Sequence, residues 1–160
     1  MRRAWRSRQG GLASLELALI LIFFIGLLGV TLFFGRLLLT YTAMQKAAYD
    51  AARYMATVPL LEMANPDDAD RATAVAENLA IASGAAMNTV LQRRDIMVVC
   101  NYGYTSLYFR CGTGAGKPVM VRVQIFKQEQ NNFLYLIVVD WLGNIATRPF
   151  FANVSLHYAN

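Results

Sequence analysis

The chain has 160 residues, 56% of them hydrophobic and 16% charged, with a mean hydropathy of +0.35. A soluble domain carries about 25% charged residues, so this composition excludes a disordered chain and points to a membrane segment, while the length excludes a multidomain enzyme. The net charge of +5 is local: Arg2, Arg3, Arg6 and Arg8 lie within the first eleven residues with no acid beside them, leaving eleven basic against ten acidic side chains in the rest. A basic nucleic-acid-binding face across the body is thereby excluded.

Nineteen uncharged residues, LALILIFFIGLLGVTLFFG, separate Glu16 from Arg36, and fourteen of them are Leu, Ile, Phe or Val. As a helix rising ~1.5 Å per residue they span roughly 28 Å, close to the hydrocarbon thickness of a bilayer. At roughly −0.3 to −0.6 kcal/mol for each such residue, insertion gains about 4 to 8 kcal/mol. Gly26, Gly29 and Gly35 are tolerated in a membrane helix, where neighbours approach closely. The arginines before the span predict a cytoplasmic N-terminus and a body outside the cytoplasm. A cleaved secretory signal is the rival, but its apolar region would be about 7–15 residues long and would not open on a glutamate.

Glu16 is costly as plain anchoring. A carboxylate at the bilayer centre costs about 2.5–3.5 kcal/mol, and less at the end of a span. It either snorkels to the headgroups or has a task. In RQGGLASLELALI, Gly11 is followed after four residues by Glu16, and the apolar run then begins. Beyond Arg36 the sequence contains no Gly or Pro up to Ala56, so the helix is predicted to continue without a break. Lys46 and Asp50 stand at i,i+4. Ala43, Ala47 and Ala51 form one strip, with Ala48, Ala52 and Ala56 beside it, suited to close packing against the body or a neighbouring subunit. Pro59 ends this helix or lies just beyond it.

The Gly11 and Glu16 spacing resembles the class III signal of type IV prepilins. Together with the Phe34-Gly35-Arg36 exit and the segment Ala47-Ala48-Tyr49-Asp50-Ala51-Ala52-Arg53-Tyr54, it resembles the TadE-like pseudopilins (TadE/TadF) of the Tad, or Flp, tight-adherence pilus system over residues 9–56. The resemblance implies cleavage by a prepilin peptidase between Gly11 and Leu12, leaving Glu16 at the fifth mature position. The Leu12 ammonium could then pair with a carboxylate during assembly. It implies an inner-membrane, single-pass, non-enzymatic minor subunit of a hetero-oligomeric pilus apparatus. Its implied partners are the membrane, the peptidase, a sister pseudopilin, the major pilin and the membrane platform. The implied layout is a basic leader (1–11), a transmembrane and juxtamembrane helix (12–56) and an extracytoplasmic domain (57–160). The alternative is a membrane-anchored extracytoplasmic binding module that does not assemble into a filament.

The remaining chain reads as α+β. A second helix opens at Asn65-Pro66-Asp67-Asp68, with an N-cap, a first-turn proline and two acids at the positive end of the dipole. It is predicted to run towards Arg93, with Ala72, Ala76, Leu79, Ala86, Val90 and Leu91 roughly on one face and Gly84 loosening it midway. Strands are predicted at 96–100, 106–111, 119–126 and roughly 150–158, with Val119, Val121, Val123 and Ile125 on one face and Arg122 and Gln124 opposite. Residues 133–142, FLYLIVVDWL, fit a strand or a short buried helix; the family resemblance favours the helix. A small antiparallel sheet packed on alanine-rich helices follows.

Cys100 and Cys111, separated by ten residues, are expected to form a disulfide outside the cytoplasm. Zinc and Cys–His catalysis are disfavoured because His157 is the lone histidine, better placed on a strand face. The run Cys111 to Pro118 lacks the first glycine and the Ser/Thr of a phosphate-binding loop, so a hairpin loop explains it better. Asp67, Asp68 and Asp70 read as helix-start acids rather than a cation site. Tyr102, Tyr104, Tyr108 and Phe109 form a contact patch or part of the sheet core. No cofactor site and no catalytic constellation emerge.

Overall fold

In the computed structural model, residues 10–103, 107–113, 116–127 and 150–160 are described, with side chains from residue 13 onward. Residues 1–9 of the predicted leader and residues 133–142 lie outside them. The chain divides into two compact units, residues 1–36 and 37–160. Helix α1 (Gly10–Thr57) carries residues of both, consistent with the absence of Gly and Pro over 36–56.

The second unit is α+β. After α1 come a short helix α2 (Leu60–Ala64), helix α3 (Pro66–Ala86) and three antiparallel strands in the order β1 (Ile96–Asn101), β2 (Met120–Lys127) and β3 (Phe150–His157). The register pairs Val98 with Val123 and Val123 with Val154, so the inward residues of all three strands fall in rows. Ile96, Val98 and Cys100 of β1, Val121, Val123 and Ile125 of β2, and Ala152 of β3 are buried. They share one core with Met44, Ala47, Ala48, Ala51, Ala52 and Met55 of α1, and with Ala69, Ala72, Ala76 and Ala80 of α3. Both helices therefore meet the core on strips of alanine, whose small side chains admit close backbone approach.

Pro59 separates α1 from α2 and accepts at its carbonyl from Glu62 and Met63, which starts the short helix that buries Met63. Asn65 caps α3: its side-chain oxygen accepts from the Asp67 amide at 3.2 Å, and its amide donates to Asp68.

The predicted continuation of α3 towards Arg93 is incorrect. The helix stops at Ala86 because Asn88 takes a left-handed conformation, φ 55°. The Thr89 amide then donates to Gly84 O at 2.9 Å and the Asn88 amide to Ala85 O at 3.0 Å, which satisfies the last carbonyls. The reversed chain is pinned by Arg93, which contacts Glu77 at 3.2 Å and Asn78 at 2.9 Å. Gly84 does not loosen the middle of the helix. It admits the returning chain, since a Cβ there would lie 2.8 Å from Leu91 Cδ1 and 3.0 Å from Thr89 O. The buried strip is consequently Ala69, Ala72, Ala76, Ala80 and Gly84, whereas Leu79, Ala86 and Val90 are exposed.

Two strand expectations also change. Val119 precedes β2 and is exposed, so only Val121, Val123 and Ile125 carry its inner face. The predicted strand over 106–111 reduces, among the described residues, to one bridge between Phe109 and Cys100. Gly103 and Gly112, at φ 82° and 83°, turn the chain on either side of it, and Arg110 draws it to Asp70 of α3 at 2.6 Å.

Gly112 lies directly against the start of α3: a Cβ there would stand 2.7 Å from Ala69 Cβ and 3.0 Å from Pro66 Cα. Gly112→Ala combines that overlap with a strained φ and should destabilise the body by about 1–3 kcal/mol. Gly29, with nothing within 4 Å of its would-be Cβ, is the control. Thermal unfolding of the detergent-solubilised chain should show a lowered midpoint for Gly112→Ala and an unchanged one for Gly29→Ala; equal midpoints would contradict this packing.

Candidate functional site

The candidate site is the first part of α1. Gly11 and Leu12 lie in its opening turns, and Glu16 follows about one helical turn after Leu12. Glu16 is exposed, as are nearly all residues from Ala13 to Arg36. No residue of the most apolar window of this helix is buried, and Ile22, Phe23 and Ile25 are each about 70% exposed. Such a surface is stable only against lipid or other apolar chains. The Thr31 hydroxyl, the one polar side chain inside the run, donates to Leu27 O at 2.8 Å and so needs no outside partner.

Further along α1 the surroundings change. Ala43, Met44, Ala47, Ala48, Ala51, Ala52, Met55 and Ala56 are buried in the core of the second unit. Asp50 accepts from Lys46 Nζ at 2.9 Å and from the Ser83 hydroxyl of α3 at 2.6 Å. These bonds, Ser83 foremost and Lys46 next, hold its carboxyl below the ordinary carboxylate value. A depressed carboxyl contributes stability above its unfolded pKa and loses it as pH falls through the folded value, so acid weakens this link. The end of α1 is capped from the far end of the sequence. Ala159 N donates to Ala56 O at 3.0 Å, Asn160 Nδ2 to Thr57 O at 2.7 Å, and the Tyr158 hydroxyl to Val58 O. Burial, followed by the nearby charge of Glu62, raises the pKa of that phenol. The Ser83 link and the C-terminal cap have no local sequence signal, because their partners lie 33 to 103 residues apart.

Cys100 and Cys111 are bonded, with Cα atoms 5.0 Å apart. The bond joins β1 to the turn that carries Gly112, whose amide donates to the Tyr102 hydroxyl at 2.8 Å. Tyr102 is thus core, Tyr108 stacks on Arg122 at 3.7 Å, Phe109 is half exposed, and Tyr104 lies outside the described residues. Asp68 pairs with Arg71 at 3.0 Å and Asp70 with Arg110, so two of the three helix-start acids have protein partners. No group of three potential metal ligands occurs among the described residues, and His157 is exposed at the end of β3.

The class defined by these features is a small α+β body joined to one N-terminal helix long and apolar enough to cross a membrane. Residues 11–53 match the family described as TadE-like protein. The match identifies this segment as TadE-like, consistent with a Tad pilus-associated protein. Searches of the curated proteins and of the solved structures return no match. The matched stretch holds both Gly11 and Glu16, and it extends through the alanine strip to Arg53.

In native protein both cysteines should resist alkylation until reduced. Replacing both by serine should cost on the order of 3 kcal/mol, the loop entropy of a short closed segment. Quantitative thiol labelling before and after reduction checks the bond, and labelling of both in folded, unreduced protein would refute it.

Proposed function

We propose that the chain is a minor pseudopilin of a Tad pilus apparatus, non-enzymatic and held in the inner membrane by residues 17–35 with its body outside the cytoplasm. The observation that carries this reading is the TadE-like match over residues 11–53, which covers an apolar helix whose most apolar window is not buried by any of the described residues. Cleavage after Gly11 releases the basic leader and frees the Leu12 ammonium. The Glu16 carboxylate of one subunit and the Leu12 ammonium of the next then neutralise each other in an apolar setting. Each charge alone is costly there, so correct register is favoured over slipped ones. The prepilin peptidase, a sister pseudopilin, the major pilin and the membrane platform are the partners that this role requires.

Glu16→Leu should insert normally and still be cut, because it removes a charge from the membrane edge and leaves Gly11 intact. It should fail to support piliation. Breaking a buried pair costs about 3–5 kcal/mol, less at the membrane edge, and even ~1.4 kcal/mol per contact lowers association tenfold. Glu16→Asp should fall between. Pilus recovery at equal membrane levels of each variant is the measurement. Normal pili from Glu16→Leu would exclude the pairing and favour a simple anchored module.

A further inference from the structure

Cys100 and Cys111 are the only cysteines among the 160 residues, so a single intramolecular pairing is open to the chain. In the closed body neither side chain is open to a reagent: Cys100 is 0% exposed and Cys111 2%. The cover comes from several elements. Val121 of β2 lies opposite Cys100 in the register, and on the other side of β1 the Cys100 amide donates to Phe109 O at 2.8 Å. Gly112, the residue after Cys111, is pressed against Ala69 and Pro66 at the start of α3, and its amide donates to the buried Tyr102 hydroxyl. Arg110, the residue before it, is held by Asp70 of the same helix.

Thiol–disulfide exchange requires a thiolate to reach a sulfur. Burial among apolar side chains blocks that approach and also disfavours the thiolate. The closed body is therefore poorly suited either to acquire the bond or to lose it. The bond is in place, so its formation belongs to an earlier, open state of the chain. That state exists until β2, which follows both cysteines in the sequence, pairs with β1 and until the turn at Gly112 docks on α3.

We propose that Cys100 and Cys111 are oxidised on the open chain by a dithiol oxidase outside the cytoplasm, and that closure of the body then shields the bond from reduction. The proposal rests on the reading that places the body outside the cytoplasm. One cysteine thiolate attacks the oxidase disulfide, which forms a mixed disulfide and releases one oxidase thiolate. The other cysteine thiolate attacks the chain's sulfur in that mixed disulfide, which forms the Cys100–Cys111 bond and releases the second oxidase thiolate. The chain loses two protons and two electrons, and the oxidase disulfide becomes a dithiol. A disulfide isomerase has no second pairing within the chain to correct.

The test follows the full-length chain by pulse-labelling, acid quenching and alkylation, in cells with and without the extracytoplasmic dithiol oxidase or the isomerase. The bond should form before the body becomes protease-resistant, at least tenfold more slowly without the oxidase and at an unchanged rate without the isomerase. Cys100→Ser and Cys111→Ser, each lacking the resolving thiol, should accumulate a reducible adduct with the oxidase. In isolated membranes a dithiol reductant should open the bond of the closed body at least tenfold more slowly than that of the urea-opened chain. Oxidation at an equal rate without the oxidase, no adduct from either variant, a bond formed after protease resistance, a requirement for the isomerase, or equal reduction of closed and open chain would overturn the proposal. The N-terminal mass in the same samples separates the two readings. A chain cut after Gly11 with both thiols free in a resistant body defeats the oxidation proposal alone, and an uncut chain with an oxidase-dependent bond defeats the pilus reading alone.

Discussion

Close approach through alanine is the constraint on which the folded body depends. Residues 43–56 of α1 present a strip of small side chains, and α3 presents another from Ala69 to Gly84. Larger residues on either strip would hold the backbones apart and break the Asp50–Ser83 bond that ties the two helices. The sheet supplies the bulk that the helices lack: Val98, Val121, Val123 and Ile125 fill the core, with Met44, Met55 and Met63 adapting to the spaces between. Even the end of α1 is closed by the last residues of the chain, so the helix terminus exposes few unsatisfied carbonyls.

The same helix serves two solvents, and its sequence changes accordingly. From residue 17 to 35 it is apolar on every side and joins no core among the described residues; from 43 to 56 it is apolar on one buried strip and carries Lys46, Asp50 and Arg53 elsewhere. The change falls just after Arg36, where the second compact unit begins. An anchor alone explains the first stretch. The proposed pairing gives the carboxylate at its entrance a task, and the functional reading rests on the TadE-like match that holds Gly11 and Glu16 rather than on the body.

Much of this architecture is legible in the amino-acid sequence. The apolar run, the proline-free continuation and the alanine strip specify α1 by periodicity and composition alone. The Asn65-Pro66 cap places the start of α3, and the alternation over 119–126 places β2, because both signals are local. The features that sequence patterns miss are decided at a distance. Asn88 stops α3 by adopting a positive φ that asparagine tolerates but does not announce. Gly84 reads as a weak point by propensity and is a contact, which only the returning Leu91 reveals. The 106–111 segment reads as a strand by composition, yet among its described residues Arg110 and Cys111, with the following Gly112, bind it to α3 and β1 instead. Alternation alone turns Arg122 outward, but its seat on Tyr108 and Ser155 depends on the sheet register.

The central claim is that the residues before the apolar run are a processing signal and not simply a basic flank. The N-terminal mass of the chain purified from its native membrane tests it most directly, compared between cells with and without the prepilin peptidase. The account predicts a mature chain starting at Leu12 when the peptidase is present and the uncut precursor when it is absent. An intact N-terminus in both strains would contradict it.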